Sequence, residues 1–277
     1  MSVKAEIISI GDELLYGQTL DTNAHWISNK LDENNIKVFQ RTTIGDDEQQ
    51  ILNALKVAEK KVDIILITGG LGPTKDDLTK PILAKYFGVK MVHHEEVLKD
   101  ITMLFNKANR EVTALNAQQA ELPANCEKIT NPVGTAPGMW FHENNTVFVA
   151  MPGVPYEMKS IMTQGILPKL QKMFSKGVIH HHIIKTIGIT ESSLSDLIED
   201  WELNLPQHIK LAYLPTKGQV KLRLTGSGED LNKLKQEIAV LQLSLIHISE
   251  PTRLLSIWYC VISMKKKRGG GGGGGGG

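Results

Sequence analysis

The sequence has few cysteines, no long apolar run and no excess of charge of one sign. Cys126 and Cys260 are the two cysteines among 277 residues, and they lie far apart without CxxC spacing. This spacing favours neither a disulfide scaffold nor a thiolate metal site. The amino terminus is not a basic segment followed by an apolar run, and no stretch of about 18 uncharged apolar residues occurs. We therefore expect a cytoplasmic protein with no membrane partner.

The charge balance argues against nucleic acid as a partner. The chain has 31 basic and 30 acidic residues, but five of the basic residues and one acidic residue fall within residues 243–277. The remaining 242 residues carry 26 basic and 29 acidic side chains. A mildly acidic chain has no general electrostatic attraction to nucleic acid, and we expect none to bind.

Residues 243–277 differ in character from the rest of the sequence. They combine an irregular apolar run, the basic residues 265–268 and nine glycines. This segment resembles a translated sequencing adapter followed by poly-G. The alternative is a flexible basic tail. We expect an artefact here and exclude these residues from fold prediction.

Apolar runs alternate with helical patterns through the first part of the chain. Strands are predicted at residues 5–10, 36–43 and 63–68, and helices at residues 22–33 and after Asp46 or Asp47. This βαβαβ order predicts an α/β domain with a doubly wound, mostly parallel sheet. Helices at 77–87, 94–107, 113–120 and 155–174, with a hairpin of residues 138–141 and 146–150, complete a domain of residues 1–174.

A second, smaller α+β domain is predicted for residues 175–242. Its strands fall at residues 179–187, 209–214 and 220–224, with helices at 190–201 and from Asp230 onward.

A glycine-rich loop follows the third strand and precedes a helix. Its residues are Gly69, Gly70, Leu71, Gly72, Pro73 and Thr74. Glycines permit close backbone approach, so the loop's N–H groups and the helix N-terminus predict a phosphate site. A tight turn without a ligand is the alternative.

Carboxylates lie at the ends of two predicted strands. Asp12 and Glu13 follow the first strand, and Asp76 and Asp77 follow the third. If the two loops are neighbours in the sheet, these oxygens suit a divalent cation that bridges to substrate phosphates. Helix capping is the alternative role for Asp76 or Asp77.

Two further loops are candidates for the same site. Residues 151–158 follow a strand and contain Gly153 and Glu157, while residues 131–138 contain Gly134 and Thr135. The second loop could lie over a ligand. We expect Gly134, Thr135 and Gly153 to contact the ligand and Glu157 to bind the metal ion.

At these motifs the chain resembles the CinA (competence/damage-inducible protein A) family, within the MoaB/Mog molybdopterin-binding superfamily. The matching segments are residues 9–15 with 21–23, 68–74 with 76–79, 131–138 and 151–158. Residues 185–191 and 209–215 are similar to that family's KH-like middle domain. RNA binding does not follow, since no GXXG clamp stands between helices here and the charge is acidic.

The resemblance implies metal-dependent hydrolysis of ADP-ribose to AMP and ribose 5-phosphate. In this hypothesis the loop at Gly69 holds a diphosphate, and Asp12, Asp77 and Glu157 hold a divalent ion that activates water. Asp12 and Asp77 are the predicted catalytic residues, and Asp76 is a further metal ligand. Family members commonly form oligomers, and we expect a homo-oligomer.

Two alternatives stay open. The superfamily implies binding or adenylylation of molybdopterin, although Leu71 replaces the threonine of the family's Gly-Gly-Thr-Gly motif and removes a hydroxyl. Family members also commonly continue into an amidase domain that deamidates nicotinamide mononucleotide. We expect that domain to be absent here, and the chain could be its non-catalytic scaffold.

Overall fold

A computed structural model describes residues 3–74, 77–174 and 177–249. The chain divides into two units between residues 177 and 178. Strands of the first unit are β1 (Lys4–Ile10), β2 (Lys37–Ile44), β3 (Ile64–Thr68), β4 (Met91–His93), β5 (Glu121–Pro123), β6 (Glu127–Ile129), β7 (Gly138–Glu143) and β8 (Thr146–Met151). Its helices are α1 (Asp12–Leu15), α2 (Thr22–Glu33), α3 (Glu48–Glu59), α4 (Thr79–Tyr86), α5 (Glu95–Lys107), α6 (Ala114–Ala117), α7 (Pro155–Ile161) and α8 (Leu167–Phe174).

The main sheet of the first unit is mixed and mostly parallel. Its strand order is β2-β1-β3-β8-β7-β6. The pairs β1–β2, β1–β3 and β3–β8 are parallel, whereas β7 is antiparallel to both β8 and β6. The predicted doubly wound α/β fold class is confirmed.

Two apolar layers cover the faces of this sheet. Side chains alternate along β1, so that Ile8 packs into the layer with α3, α4 and α5, and Ile7 packs into the layer with α2, α7 and α8. The five residues of β3 are all buried, because both faces of a central parallel strand are covered.

The predicted long helix at residues 155–174 is continuous but not uniform. A π-helical turn, Met162–Ile166, separates α7 from α8. Gly165 lies in this turn against Ile129, where a Cβ would collide with the isoleucine side chain. Three further strands, β4, β5 and β6, were not predicted, because three-residue strands show no local periodicity.

The second unit is a three-stranded antiparallel sheet with two helices. Its elements are β9 (Val178–Ile187), α9 (Glu191–Leu203), β10 (Ile209–Thr216), β11 (Gln219–Gly228) and α10 (Leu231–Ser249), and its strand order is β10-β11-β9. Leu222 and Leu224 of β11 are fully buried beneath Leu194 and Leu234 of the helices. This is the small α+β domain that the sequence predicts.

Helix α10 extends past Gln242, where the predicted genuine sequence ends. It continues to Ser249, and Leu245 is buried in the core of the second unit. Trp201 Nε1 donates a hydrogen bond to Ser244 Oγ at 2.9 Å. Residues 250–277 lie outside the described residues, so the artefact assigned to residues 243–277 stays a prediction. No helix within the described ranges, α10 included, is long and apolar enough to cross a membrane.

Candidate functional site

Four parallel strands end at one edge of the main sheet, and a cleft of about 380 Å³ lies there. Because β7 runs antiparallel to β8, the loop that leads into β7 reaches the same edge. Ligands of open α/β sheets bind at such an edge. Residues that line the cleft include Gly11, Glu13, Asp46, Gly69, Gly70, Leu71, Gly72, Pro73, Asp77, Gln119, Thr135, Ala136, Gly153 and Glu157.

The glycine loop lies against the end of β1. Gly69 has φ 110° and Gly70 has φ 64°. Residues that carry a side chain rarely adopt a backbone conformation with positive φ. A Cβ on Gly69 would also collide with the carbonyl oxygen of Ile10. Thr79 Oγ1 donates a hydrogen bond to Gly69 O at 2.9 Å, and Thr79 N donates one to Gly70 O at 3.1 Å. The first turn of α4 therefore fixes the loop.

Three backbone N–H groups of this loop make no hydrogen bond within the described residues. Gly69 N donates to Met151 O at 3.1 Å, Thr74 N donates to Asp77 Oδ2 at 3.0 Å, and a proline such as Pro73 has no N–H. The N–H groups of residues 70–72 have no hydrogen-bond partner within the described ranges. The phosphate site predicted at residues 69–74 stays a prediction, and Gly70, Leu71 and Gly72 are the residues whose N–H groups it would use.

Asp77 closes the glycine loop and does not cap a helix. Its Oδ2 accepts hydrogen bonds from the backbone N and the hydroxyl of Thr74. Gly72 lies so close that a Cβ there would collide with the Asp77 carboxylate. Helix α4 begins two residues later with Leu78 as N-cap and no side-chain cap. The capping alternative therefore does not describe Asp77.

Glu157 is a buried carboxylate of α7, and it lies in the cleft opposite a loop from β6 to β7. Its Oε2 accepts a hydrogen bond from Asn131 Nδ2 at 2.7 Å, and the same amide nitrogen donates to Ala136 O at 2.9 Å. Gly134 passes so close to Glu157 that a Cβ would collide with Oε2. Thr135 and Gly153 line the same cleft.

Asp12 is not among the described residues that line the cleft. Its Oδ1 accepts a hydrogen bond from Asp46 N at 3.4 Å, and its backbone N donates to Asp46 Oδ2 at 3.2 Å. Asp12 thereby ties the end of β1 to the end of β2. The neighbouring carboxylates Glu13 and Asp46 do line the cleft. Asp76, a predicted metal ligand, lies outside the described residues.

Carboxylates dominate the electrostatics of the cleft. Glu13, Asp46, Asp77 and Glu157 line it, whereas the described part of its lining contains no lysine or arginine. Within residues 3–74, 77–174 and 177–249, no three His, Cys, Asp or Glu side chains converge closely enough to hold a metal ion by themselves. A divalent ion such as Mg²⁺ commonly takes one or two protein carboxylates and completes its shell with water and substrate phosphates. The four carboxylates of the lining are ligands of the type that such an ion takes.

Two polar side chains of the lining, Asp46 and Gln119, are not among the predicted site residues. The sequence offers Asp46 or Asp47 as the cap of the next helix, and the side chain of Asp47 accepts the hydrogen bond from Gln50 N and caps α3. The rule that parallel strands end at one edge identifies Asp46, since it follows β2. Gln119 lies in a short 3-10 helix, Gln118–Ala120, and no local sequence signal places it at the cleft.

The fold and the cleft define an α/β domain with a ligand-type cleft at the carboxyl edge of its sheet, followed by a small α+β domain. A family model described as "Probable molybdopterin binding domain" matches residues 6–172. A second model, described as "Damage-inducible protein CinA KH domain", matches residues 181–245. The chain belongs to the CinA-like family, as the sequence resemblance predicts.

Two related proteins support the assignment. A CinA-like protein of Flavobacterium psychrophilum is 48% identical over 239 residues, covering 86% of this chain and 57% of the relative. A CinA-like protein of Cytophaga hutchinsonii is also 48% identical, over 236 residues, covering 85% of this chain and 56% of the relative. The chain therefore spans little more than half the length of these relatives.

A solved structure is also similar to part of this chain. It is the protein CinA with unknown function from Thermoplasma acidophilum, which is 33% identical with a TM-score of 0.55. The match covers 62% of this chain and 98% of that protein.

Proposed function

We propose that this chain is a divalent-metal-dependent nucleotide pyrophosphatase that hydrolyses ADP-ribose-type dinucleotides to AMP and a sugar phosphate. The observation that carries the proposal is that the N–H groups of residues 70–72, which make no hydrogen bond within the described residues, lie in a loop that lines the same cleft as four carboxylates. Backbone N–H groups bind phosphate oxygens, and carboxylates bind the cation that accompanies a diphosphate.

The charge of the lining argues for a metal-bridged ligand. A diphosphate placed among Glu13, Asp46, Asp77 and Glu157 meets like charge, and no lysine or arginine among the described residues of the lining offsets it. A divalent cation between the carboxylates and the phosphates removes this repulsion. When bound, such an ion supplies charge neutralisation and a more acidic water molecule.

The chain's own residues would orient both the divalent ion and the diphosphate. Asp77 is fixed by Thr74, and Glu157 by Asn131, so each carboxylate presents its oxygens in a set direction. These two residues are the proposed metal ligands. Asp12 supports the neighbouring loops through Asp46. Residues 70–72 would hold the diphosphate in a fixed position, which lowers the entropic cost of reaction.

Release of AMP from ADP-ribose tests the proposal. The full chain is assayed with Mg²⁺, Mn²⁺, Zn²⁺ or chelator, beside Asp77→Asn and a control, Asp200→Asn, which makes the same charge change at an exposed site on α9. We expect metal-dependent release in the wild type and the control, and at least a hundredfold loss in Asp77→Asn with the thermal unfolding midpoint kept. No release with any ion, or full activity in Asp77→Asn, would contradict it.

A further inference from the structure

Gln119 carries a polar group that the described part of the fold leaves without a partner. The residue is fully buried and lines the cleft beside the glycine loop. Its Oε1 accepts a hydrogen bond from Lys80 Nζ at 2.6 Å. Its Nε2 is buried and has no hydrogen-bond partner among the described residues. Buried polar atoms are nearly always paired in native proteins, so this unpaired donor of a cleft-lining residue calls for a partner.

Lys80 fixes which way the Gln119 amide faces. An ammonium group has three donors and no acceptor, so the oxygen of the amide must face Lys80. The amide nitrogen therefore points away from Lys80. A flipped amide would place donor against donor at 2.6 Å. The hydrogen bond with Lys80 therefore decides which atom of the Gln119 amide is the oxygen and which is the nitrogen.

Lys80 itself is a buried residue at the start of α4. Its side chain is 8% exposed, and burial lowers its pKa from 10.5 to about 8. The carboxylates of Asp77 and Glu121 act in the opposite direction and favour the charged form. At neutral pH Lys80 is thus a buried cation directly behind the Gln119 amide. Its charge strengthens Gln119 Nε2 as a donor, because hydrogen bonds polarise one another in a low-dielectric interior.

We propose that Gln119 Nε2 donates a hydrogen bond to the phosphate group that the N–H groups of residues 70–72 hold, and that Lys80 is a positioning residue for this amide. The proposal rests on the proposed function for the identity of the ligand. Gln119 adds a side-chain donor to a cleft in which the charged groups of the described lining all repel an anion.

Gln119→Glu tests the donor. This variant keeps an acceptor for Lys80 and replaces the free donor with a carboxylate oxygen, so the fold is kept while the group that faces the ligand changes sign. Gln118→Glu is the matched control, because it makes the same change at the neighbouring residue, which is not fully buried. Calorimetry with Mg²⁺ and ADP-ribose, and with Mg²⁺ and inorganic pyrophosphate, gives the affinity. We expect at least tenfold weaker binding in Gln119→Glu and less than a twofold change in Gln118→Glu.

A double variant covers the case in which Gln119→Glu does not fold. Lys80→Met with Gln119→Met replaces both hydrogen-bond partners by apolar groups of similar length, which is nearly neutral for stability. We again expect at least tenfold weaker binding. Wild-type affinity in either folded variant overturns the proposal.

The pH profile of binding tests the positioning role. Asp77, Glu121 and Gln119 are the polar groups that interact with Lys80 among the described residues. Affinity for Mg²⁺–pyrophosphate should fall as the pH rises through about 8 in the wild type, and this fall should be missing in Lys80→Arg. A fall that persists unchanged in Lys80→Arg overturns the role of Lys80.

The outcomes also separate this inference from the proposed function. Pyrophosphate binding that depends on Gln119, without AMP release from ADP-ribose, would sink the pyrophosphatase and keep the Gln119 subsite. AMP release that Gln119→Glu leaves unchanged would keep the pyrophosphatase and contradict the Gln119 subsite. A wild-type chain that binds neither ligand contradicts both.

Discussion

Lys80 should make the stability of the protein depend on pH in an unusual direction. Its pKa is about 8 in the folded chain and 10.5 in the unfolded one, so between these values the unfolded chain binds more protons. The free energy of unfolding therefore rises as the pH increases from about 8 to 10.5. The rise is roughly 3 kcal/mol, because each pKa unit corresponds to about 1.36 kcal/mol. Urea unfolding of wild type and Lys80→Met from pH 7 to 11 measures this contribution as a difference.

A control separates Lys80 from the other groups that titrate in this range. Burial raises the pKa of Cys126 to about 11, and with Glu202 it raises that of Tyr213 to about 12, which makes stability fall with rising pH. Both contributions cancel in the difference from Lys80→Met. Lys61→Met, an exposed substitution, should show the same pH dependence as the wild type. Parallel curves for wild type and Lys80→Met would refute a lowered pKa at Lys80.

Gly134 controls the position of Glu157. A Cβ at residue 134 would collide with Glu157 Oε2 and lie 2.7 Å from Asn131 Nδ2. Gly134→Ala should therefore displace the carboxylate and reduce AMP release at least tenfold, with the fold kept. Gly228→Ala, where no atom lies within 4 Å of the added Cβ, is the control and should release AMP at the wild-type rate. Equal rates in the two variants would remove Glu157 from the mechanism.

At the scale of elements, the N-cap of α3 gives a local test of the fold at the cleft. Asp47 accepts a hydrogen bond from Gln50 N at 2.8 Å. Asp47→Ala should lower the free energy of unfolding by about 1 kcal/mol, while Asp47→Asn keeps the acceptor and should cost much less. Urea unfolding measures both. An equal loss in the two variants would mean that charge, and not the cap, is responsible.

The end of α10 tests whether residues 243–249 belong to the fold. Leu245 is 6% exposed and packs in the second core, whereas Leu243 is 58% exposed. Leu245→Ala should destabilise the second unit by about 2 kcal/mol, and Leu243→Ala by less than about 0.5 kcal/mol. Hydrogen exchange of the β11 amides reports this unit. No difference between the variants would favour the predicted artefact starting at Leu243.

Long, periodic elements were predictable from the sequence, and short edge strands were not. Helix α2 spans the predicted residues 22–33, and the apolar runs of β1 and β3 begin within one residue of prediction. Asn144 and Asn145 both have positive φ, as hairpin turns require. By contrast, β6 forms because it pairs with β7. A three-residue strand is too short for its pairing with another strand to appear as a local sequence pattern.

For the whole molecule, the sequence located the cleft but not the set of side chains that line it. The glycine loop, Asp77 and Glu157 were predictable, because each follows a strand or opens a helix at the carboxyl edge of a parallel sheet. Asp12 follows a strand too, yet its carboxyl group accepts a hydrogen bond from Asp46 N and does not line the cleft. Gln119 reaches the cleft through tertiary packing, which local patterns do not encode.

Self-association of the chain stays a prediction from the family resemblance. We expect a homo-oligomer of the 277-residue chain. Light scattering coupled to size-exclusion chromatography measures the mass in solution. A mass of 30.6 kDa at all concentrations would contradict the expectation.

The cleft is proposed to bind a phosphate ligand together with a divalent cation. The most direct test is a calorimetric titration of ADP-ribose into the full chain with Mg²⁺ or Mn²⁺, and again with chelator. The carboxylates of the described lining predict binding with the ion and at least tenfold weaker binding without it. Equally tight binding in chelator would contradict the account.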